Sequence, residues 1–241
     1  MSARKTVFIN GGSRGIGAEM VRLFSSKGYL VAFSYYHSEE KALALASELG
    51  AIPVRADSAS EEDIAAAVSF VEQKLGDVDV LINNAAVSFV GLYTDMTDGE
   101  WERMLKVNLK APEKYIRLLL PRMISRKSGK IINISSMWGE VGASCEVHYS
   151  ATKAALIGLT KALAKELGPS GITVNAIAPG MIDTDMNAHF STEDKNAIRE
   201  ETPLMRLGTP RDVALCALFL AEEGGDFITG QVLSPNGGLV I

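Results

Sequence analysis

The chain has 241 residues, 47% hydrophobic and 22% charged, a balance that suits a globular domain with a substantial core and excludes global disorder. Its 24 basic and 29 acidic residues give a net charge of -5, which argues against a nucleic-acid surface. No apolar run approaches the roughly 20 residues needed to cross a bilayer, so no membrane span is expected.

In chain order, short β-branched runs alternate with longer amphipathic ones. Strands are expected at Thr6–Asn10, Leu30–Ser34, Ala51–Arg55, Val78–Asn83, Lys130–Ser135, Thr173–Ala178 and Gln231–Ser234. They are apolar nearly throughout, as in a parallel sheet covered on both faces. Helices are expected near Ile16–Lys27, Glu39–Leu49, Glu61–Leu75, Glu100–Arg126, Val147–Leu167 and Pro210–Ala221. Thr97 and Glu100 fit a capping box, Thr209-Pro210 fits a helix start, and Gly28, Gly50, Gly76 and Gly168 stand where helices should stop. This rhythm predicts one α/β domain over residues 1–241, a Rossmann-type doubly wound parallel sheet of about seven strands with helices on both faces. Met1 to Lys5 run straight into the first strand and leave no room for a signal peptide. Cys145 and Cys216 form neither a disulfide framework nor a metal-ligand set, so a reducing cytoplasm is the expected compartment and no metal is expected.

Between the first strand and the first helix lies Asn10-Gly11-Gly12-Ser13-Arg14-Gly15-Ile16-Gly17. Glycines there let backbone approach a pyrophosphate, and a helix N-terminus offers free N–H groups; a tight strand-to-helix turn is the plainer alternative. Farther on, Tyr149 and Lys153 stand four residues apart, on one face of a helix. A phenol titrates near ~10, and a neighbouring cation lowers that value, so the pair suits a proton donor to a ketone. A surface Tyr-Lys pair is the bland reading. Ser135-Ser136 closes the fifth strand, where parallel sheets present residues to a ligand crevice.

The G-x-x-x-G-x-G spacing of Gly11, Gly15 and Gly17, together with Tyr149 and Lys153, resembles the short-chain dehydrogenase/reductase family, and the likeness runs along almost the whole chain. Asn10 stands where that family more often has threonine, and Asn83-Asn84-Ala85-Ala86 resembles its N-N-A-G stretch with alanine for glycine. The resemblance implies cofactor contacts from Gly11, Ser13, Arg14, Gly15, Ile16 and Gly17 in the loop. It implies adenine contacts from Asp57 and Ser58, and further contacts from Asn84 and Ala85. Pro179 and Gly180 would lie beneath the nicotinamide, with the Ile182 backbone and Thr184 on its carboxamide. The same resemblance makes Ser136 the hydroxyl beside Tyr149, gives Lys153 the nicotinamide ribose, and makes Asn108 the holder of a water in a proton relay. Together Asn108, Ser136, Tyr149 and Lys153 form the implied catalytic set.

The position that is acidic in NAD-specific relatives is Tyr35, and Arg14 stands where NADP-preferring relatives carry a basic residue. NADP(H) is therefore the preferred cofactor, with NAD(H) open; a second arginine common in such relatives is here Tyr36, with His37 as a weak substitute. The sequence is similar to bacterial 3-oxoacyl-acyl carrier protein reductases, which implies a ketone substrate on acyl carrier protein. The run from Trp138 to Val147 looks more like a subgroup that reduces an aminopentanone on a lysine of elongation factor P. Trp138, Glu140 and Glu146 are the substrate-side candidates; solvated carboxylates and simple packing are the alternatives. A cofactor-binding sensor without chemistry is the reading from another class. The polar segment Met181–Thr202, with Asp183, Asp185, Asn187 and His189, fits a mobile lid. His148 is expected to pack locally, and Cys145 to be a small packed thiol. Family likeness also implies a homotetramer built through the two longest helices and the C-terminal strand. Ala151, Ala154, Ala155 and Gly158 allow close helix approach, or else pack on the domain's own sheet.

Overall fold

The computed structural model describes residues 4–187 and 190–241. In chain order it runs β1 (Thr6–Asn10), α1 (Gly15–Ser26), β2 (Leu30–Tyr35), α2 (Glu39–Leu49), β3 (Ile52–Arg55), α3 (Glu61–Leu75) and β4 (Val80–Asn83). Then follow α4 (Asp98–Leu105), α5 (Ala111–Arg126), β5 (Gly129–Ile134), α6 (Trp138–Val141) and α7 (Val147–Leu167). The chain finishes with β6 (Ile172–Ile177), α8 (Thr192–Glu201), α9 (Pro210–Ala221) and β7 (Val232–Leu233). Every strand pairing is parallel, in the order β3-β2-β1-β4-β5-β6-β7. The order reverses between β1 and β4, which opens a crevice at their C-terminal ends.

Strand alternation feeds two cores. Val7 and Ile9 of β1 point to one face and join Met20, Phe24, Leu45 and Val213. Phe8 points to the other and joins Ile64, Tyr115, Ile131 and Leu167. Helices thus cover both faces, as the apolar strands required.

Several boundaries differ from expectation. The long helix expected over Glu100–Arg126 is α4, one π turn at Lys106–Lys110, and α5. Pro112 has no N–H to give the Asn108 carbonyl, so the regular ladder cannot continue, and the Ala111 N–H reaches back to the Lys106 carbonyl instead. Gly168 does not turn left-handed; α7 continues into a short 3₁₀ turn, and Gly171 (φ 69°) makes the reversal. The lid segment contains a helix, α8, started by a Ser191–Asp194 capping box. The expected box at Thr97–Glu100 forms, and the helix start expected at Thr209-Pro210 is in place, with a further box between Thr209 and Asp212. Among the described residues no helix is long and apolar enough to cross a membrane.

Candidate active site

The glycine loop follows from how tightly it is packed. A Cβ on Gly17 would lie 2.0 Å from the Gly11 carbonyl oxygen, and one on Gly11 would lie 2.8 Å from the Ala85 Cα. Gly11 and Gly15 also have φ of 72° and 52°, where a side chain is strained. Asn10 closes the base of this loop. Its side-chain oxygen accepts from the backbone N–H groups of both Asn84 and Ala85, at 2.6 Å each. The Asn84 amide in turn donates to the Gly11 carbonyl at 2.8 Å. The asparagine therefore ties the ends of β1 and β4 together at the base of the loop.

One continuous cleft runs from this loop across the strand ends. Gly11, Ser13, Arg14, Gly15, Ile16 and Gly17 line one end, with Tyr35, Asp57, Ser58, Asn84 and Ala85 beside them. The cleft is also lined by Ser136, Tyr149, Lys153, Pro179, Gly180 and Ile182, and by Thr184, which stands close to Gly15. Trp138 and Glu146 are on its wall. Glu140 is not on that wall; it accepts a bond from the Ser234 hydroxyl at 2.7 Å, an anchor far along the sequence. Gly180 sits close under Asn236, whose Cα would be 2.8 Å from an added Cβ, so this turn has no room for a side chain.

Asn108 lies behind the cleft wall rather than on it, buried in the π turn. Its side-chain oxygen accepts from Val87 N–H at 2.9 Å, and its amide donates to the Val87 carbonyl at 2.9 Å and to Thr152 at 3.2 Å. The side chain thus pins the strand-end loop to α7.

Tyr149 and Lys153 are both buried, at 9% and 2% exposure. The Lys153 Nζ stands 5.5 Å from the Tyr149 ring centre and donates to the Ile134 carbonyl at 2.8 Å. Burial pushes the Tyr149 phenol above its ordinary range, the Glu146 charge adds to this, and a bond with the Ser136 hydroxyl pulls the other way. Burial also pulls Lys153 down to about 7. The expected lowering of the phenol by the neighbouring lysine is not among the influences on Tyr149, which burial and Glu146 raise. Both groups lose the water that would stabilise their charged forms, and the lysine becomes a group that exchanges protons near neutrality.

Sequence reasoning missed several cleft residues. Arg103 of α4 lines it and grips Asp57 through both guanidinium nitrogens at 3.4 Å. Tyr36 and His37, which the sequence places near the 2′-phosphate corner, line the cleft as well, and Ser38, which it does not, joins them. Arg55, at the end of β3, places its guanidinium over the Tyr36 ring at 5.8 Å. A cation thus stands behind the tyrosine that replaces the second arginine. The Tyr35 hydroxyl donates to Glu39 at 3.3 Å. His148 is sandwiched by Tyr93, stacked at 4.9 Å, and Trp101, also 4.9 Å away, as expected of a packing residue. His189 lies outside the described residues. The only signal for Arg103 in the sequence is its place one turn before Lys106 on an amphipathic helix, which does not reveal Asp57 as a partner.

A family described as Enoyl-(Acyl carrier protein) reductase matches residues 11–240. The 3-oxoacyl-[acyl-carrier-protein] reductase FabG of Staphylococcus aureus is 39% identical, over 99% of each chain. The Uncharacterized oxidoreductase YmfI of Bacillus subtilis is also 39% identical, over 97% of this chain and 98% of the relative. Among solved structures, a blue fluorescent protein from a metagenomic library in complex with NADPH superposes with a TM-score of 0.94 at 38% identity, over 98% of both chains. A Serratia marcescens short-chain dehydrogenase/reductase mutant gives 0.92 at 34% identity, over 98% of this chain and 97% of that one. With a glycine loop too tight for side chains, a Tyr149–Lys153 face opposite Ser136, and these relatives over its full length, this chain belongs to the short-chain dehydrogenase/reductase family and is closely related to the FabG-type 3-oxoacyl-acyl carrier protein reductases.

Proposed function

We propose that this protein reduces a ketone to a secondary alcohol with NADPH, and that the ketone is a 3-oxoacyl group on acyl carrier protein. The observation that carries this is the meeting of the Ser136 and Tyr149 hydroxyls in a cleft continuous with the glycine loop. The family description names an enoyl reductase, whose product takes its proton on carbon. Two O–H donors side by side are better suited to an oxygen that gains negative charge.

The cleft fits a dinucleotide. The tightly packed glycine loop and the N-terminus of α1 line this end, so it suits a pyrophosphate. Arg14, and Arg55 behind Tyr36, bring positive charge to the corner where a ribose 2′-phosphate would lie. Asp57 and Ser58 would hold the adenine, and Pro179, Gly180, Ile182 and Thr184 the nicotinamide end. When bound, the cofactor supplies hydride to the carbonyl carbon.

Ser136 donates to the carbonyl oxygen and orients it. Tyr149 gives that oxygen its proton, and the raised phenol affinity keeps the proton on the tyrosine until negative charge develops. Lys153, titrating at about 7, is matched to return a proton to Tyr149 at neutral pH. Asn108 serves by fixing the π turn and Val87, which sets the wall on which the substrate rests. The intact hydroxyl pair weighs against a sensor that has lost its chemistry.

Glu146 favours a second reading. Its carboxylate is on the substrate wall and its charge reaches Tyr149, which suits a ketone bearing an amine, such as an aminopentanone on a protein lysine. Side-by-side NADPH oxidation assays with an acetoacetyl thioester and with a ketone-modified elongation factor P decide between them. Turnover of neither, under conditions where NADPH binds, would refute both.

We also infer a homotetramer in the cytoplasm. Ala151, Ala154, Ala155 and Gly158 are exposed along α7 rather than packed on the sheet, which supports close approach of a second helix. Leu215, Phe219 and Phe227 are further exposed apolar side chains that a second contact could cover. Both cysteines are free thiols, in keeping with a reducing compartment.

A further inference from the structure

A line of buried side chains crosses the sheet just below the cleft. Asn10, Asn83 and Asn133 stand side by side on β1, β4 and β5, in register. The Asn10 amide donates to Asn83 at 3.3 Å, Asn83 to Asn133 at 2.9 Å, and Asn133 to the Thr160 hydroxyl at 2.9 Å. Thr160 passes its own hydrogen to the Leu156 carbonyl at 2.8 Å, inside α7. None of the four side chains is more than 2% exposed. Each amide accepts on one side and donates on the other, so the chain has one direction, from the glycine-loop strand to the helix that bears Tyr149 and Lys153.

Stability does not require this arrangement. Apolar groups of the same shape would be about as stable, because a buried pair gives back in desolvation most of what its bond contributes. Hydrogen bonds differ in that they fix a distance and an angle, where apolar contacts let a helix slide or turn. The helix α7 lies on β5 at two further polar ties: Lys153 Nζ to the Ile134 carbonyl at 2.8 Å, and the Ser135 hydroxyl to the Lys153 carbonyl at 2.9 Å. Thr160 is two turns beyond Lys153 on the same face, and Tyr149 is one turn before it. The ties at Thr160 and Lys153 therefore define the axial position and rotation of α7, and with them the place of the Tyr149 hydroxyl against Ser136.

We propose that Asn133 and Thr160 are positioning residues for the proton donor, holding α7 in register with β5 so that Tyr149 meets Ser136. The proposal rests on the reading of Tyr149 as that donor. Misplacement on the order of 1 Å costs on the order of a hundred-fold in rate, so even partial slip is measurable.

The test compares Thr160→Val, which keeps shape and removes the hydroxyl, with Thr160→Ser, which keeps the hydroxyl. Asn133→Val is the second variant. In Thr160→Val and Asn133→Val, kcat should fall by about ten-fold or more well below the melting temperature. NADPH Kd should stay within about two-fold, since the glycine loop and its Asn10 tie are untouched. The acidic and basic limbs of the kcat profile should move, and Thr160→Ser should restore both rate and profile. Unchanged kcat and pH profile with only a lower Tm would overturn the proposal, as would failure of both valine variants to fold, since each marks a structural role alone. Turnover by the wild type of no ketone tested would count against the proposed function instead. The positioning role would then be read from [¹³C]tyrosine spectra of the enzyme with NADPH. A shifted Tyr149 signal in Thr160→Val supports it, and an unmoved one overturns it.

Discussion

Lys153→Met should make the protein more stable at neutral pH and inactive, and the gain should vanish as the pH rises. Lys153 is 2% exposed, and burial lowers its pKa from 10.5 to about 7. Between those values the unfolded chain holds a proton that the folded chain has released, so stability rises with pH across this window and is level on either side. At neutral pH the folded state has therefore lost roughly 4 kcal/mol relative to a lysine that is neutral in both states. Methionine keeps an unbranched stem and never carries the charge. It does leave the Ile134 carbonyl without its partner, which costs about 1–3 kcal/mol. The balance is a gain of about 1–3 kcal/mol at neutral pH, falling to nearly nothing by about pH 9, where the unfolded lysine gives up most of its advantage. Urea melts of cofactor-free wild type and variant, at one protein concentration and a series of pH values, measure the difference directly. Parallel pH profiles, or a variant less stable at neutral pH than the wild type, would refute the idea that burial lowers the proton affinity of this lysine.

Tyr149→Phe should keep the fold and NADPH binding and lose most of kcat, because the hydroxyl acts in the transition state; near-normal turnover would defeat the mechanism. Arg14→Ala should weaken NADPH by about 1–2 kcal/mol and leave NADH unchanged, since the side chain is exposed and its phosphate bond partly screened. Equal loss for both cofactors, in fluorescence titrations, would show that Arg14 does not read the 2′-phosphate. Light scattering over a dilution series should show a tetramer throughout the active range, and a fully active species of 25.8 kDa would exclude an obligate tetramer.

Strands β1, β2, β4, β5 and β6 were legible because both faces of each are buried, so their residues had to be apolar, while β3 and β7 are only half-buried; the helix ends were legible because caps are local chemistry. Thr97 with Glu100 is a box whatever lies around it. Where local signals compete, the sequence is ambiguous. Pro112 reads equally as a first-turn proline or as a break; in the fold it stands in the first turn of α5, just after the π turn that carries the buried Asn108. The helix α8 buries none of its residues, so it has no apolar period to detect, although Ser191 and Asp194 carried the start signal. Gly168 was placed as a stop because glycine often is one, yet the chain needs its left-handed residue three positions later, where a Cβ on Gly171 would also strike the Lys127 carbonyl.

The site divides along the same line. Which residues face the cleft follows from their places at strand ends and from helical spacing, and almost all of those expected are there. What the neighbours do to them does not follow from spacing. A tyrosine and a lysine one turn apart suggest a cation lowering a phenol, but that inference assumes a lysine that keeps its charge. The fold surrounds the pair with β5, α6 and the cleft wall, and desolvation then acts on both groups at once, raising one and lowering the other. Arg103 on Asp57, Arg55 on Tyr36 and Asn133 on Thr160 are likewise pairings across 19 to 46 residues or between adjacent strand ends. Each partner is unremarkable alone, and only the sheet order makes it a neighbour. The chemistry of this site was therefore readable as a set of parts, while its proton affinities and its alignment belong to contacts that exist only once the sheet has closed on α7.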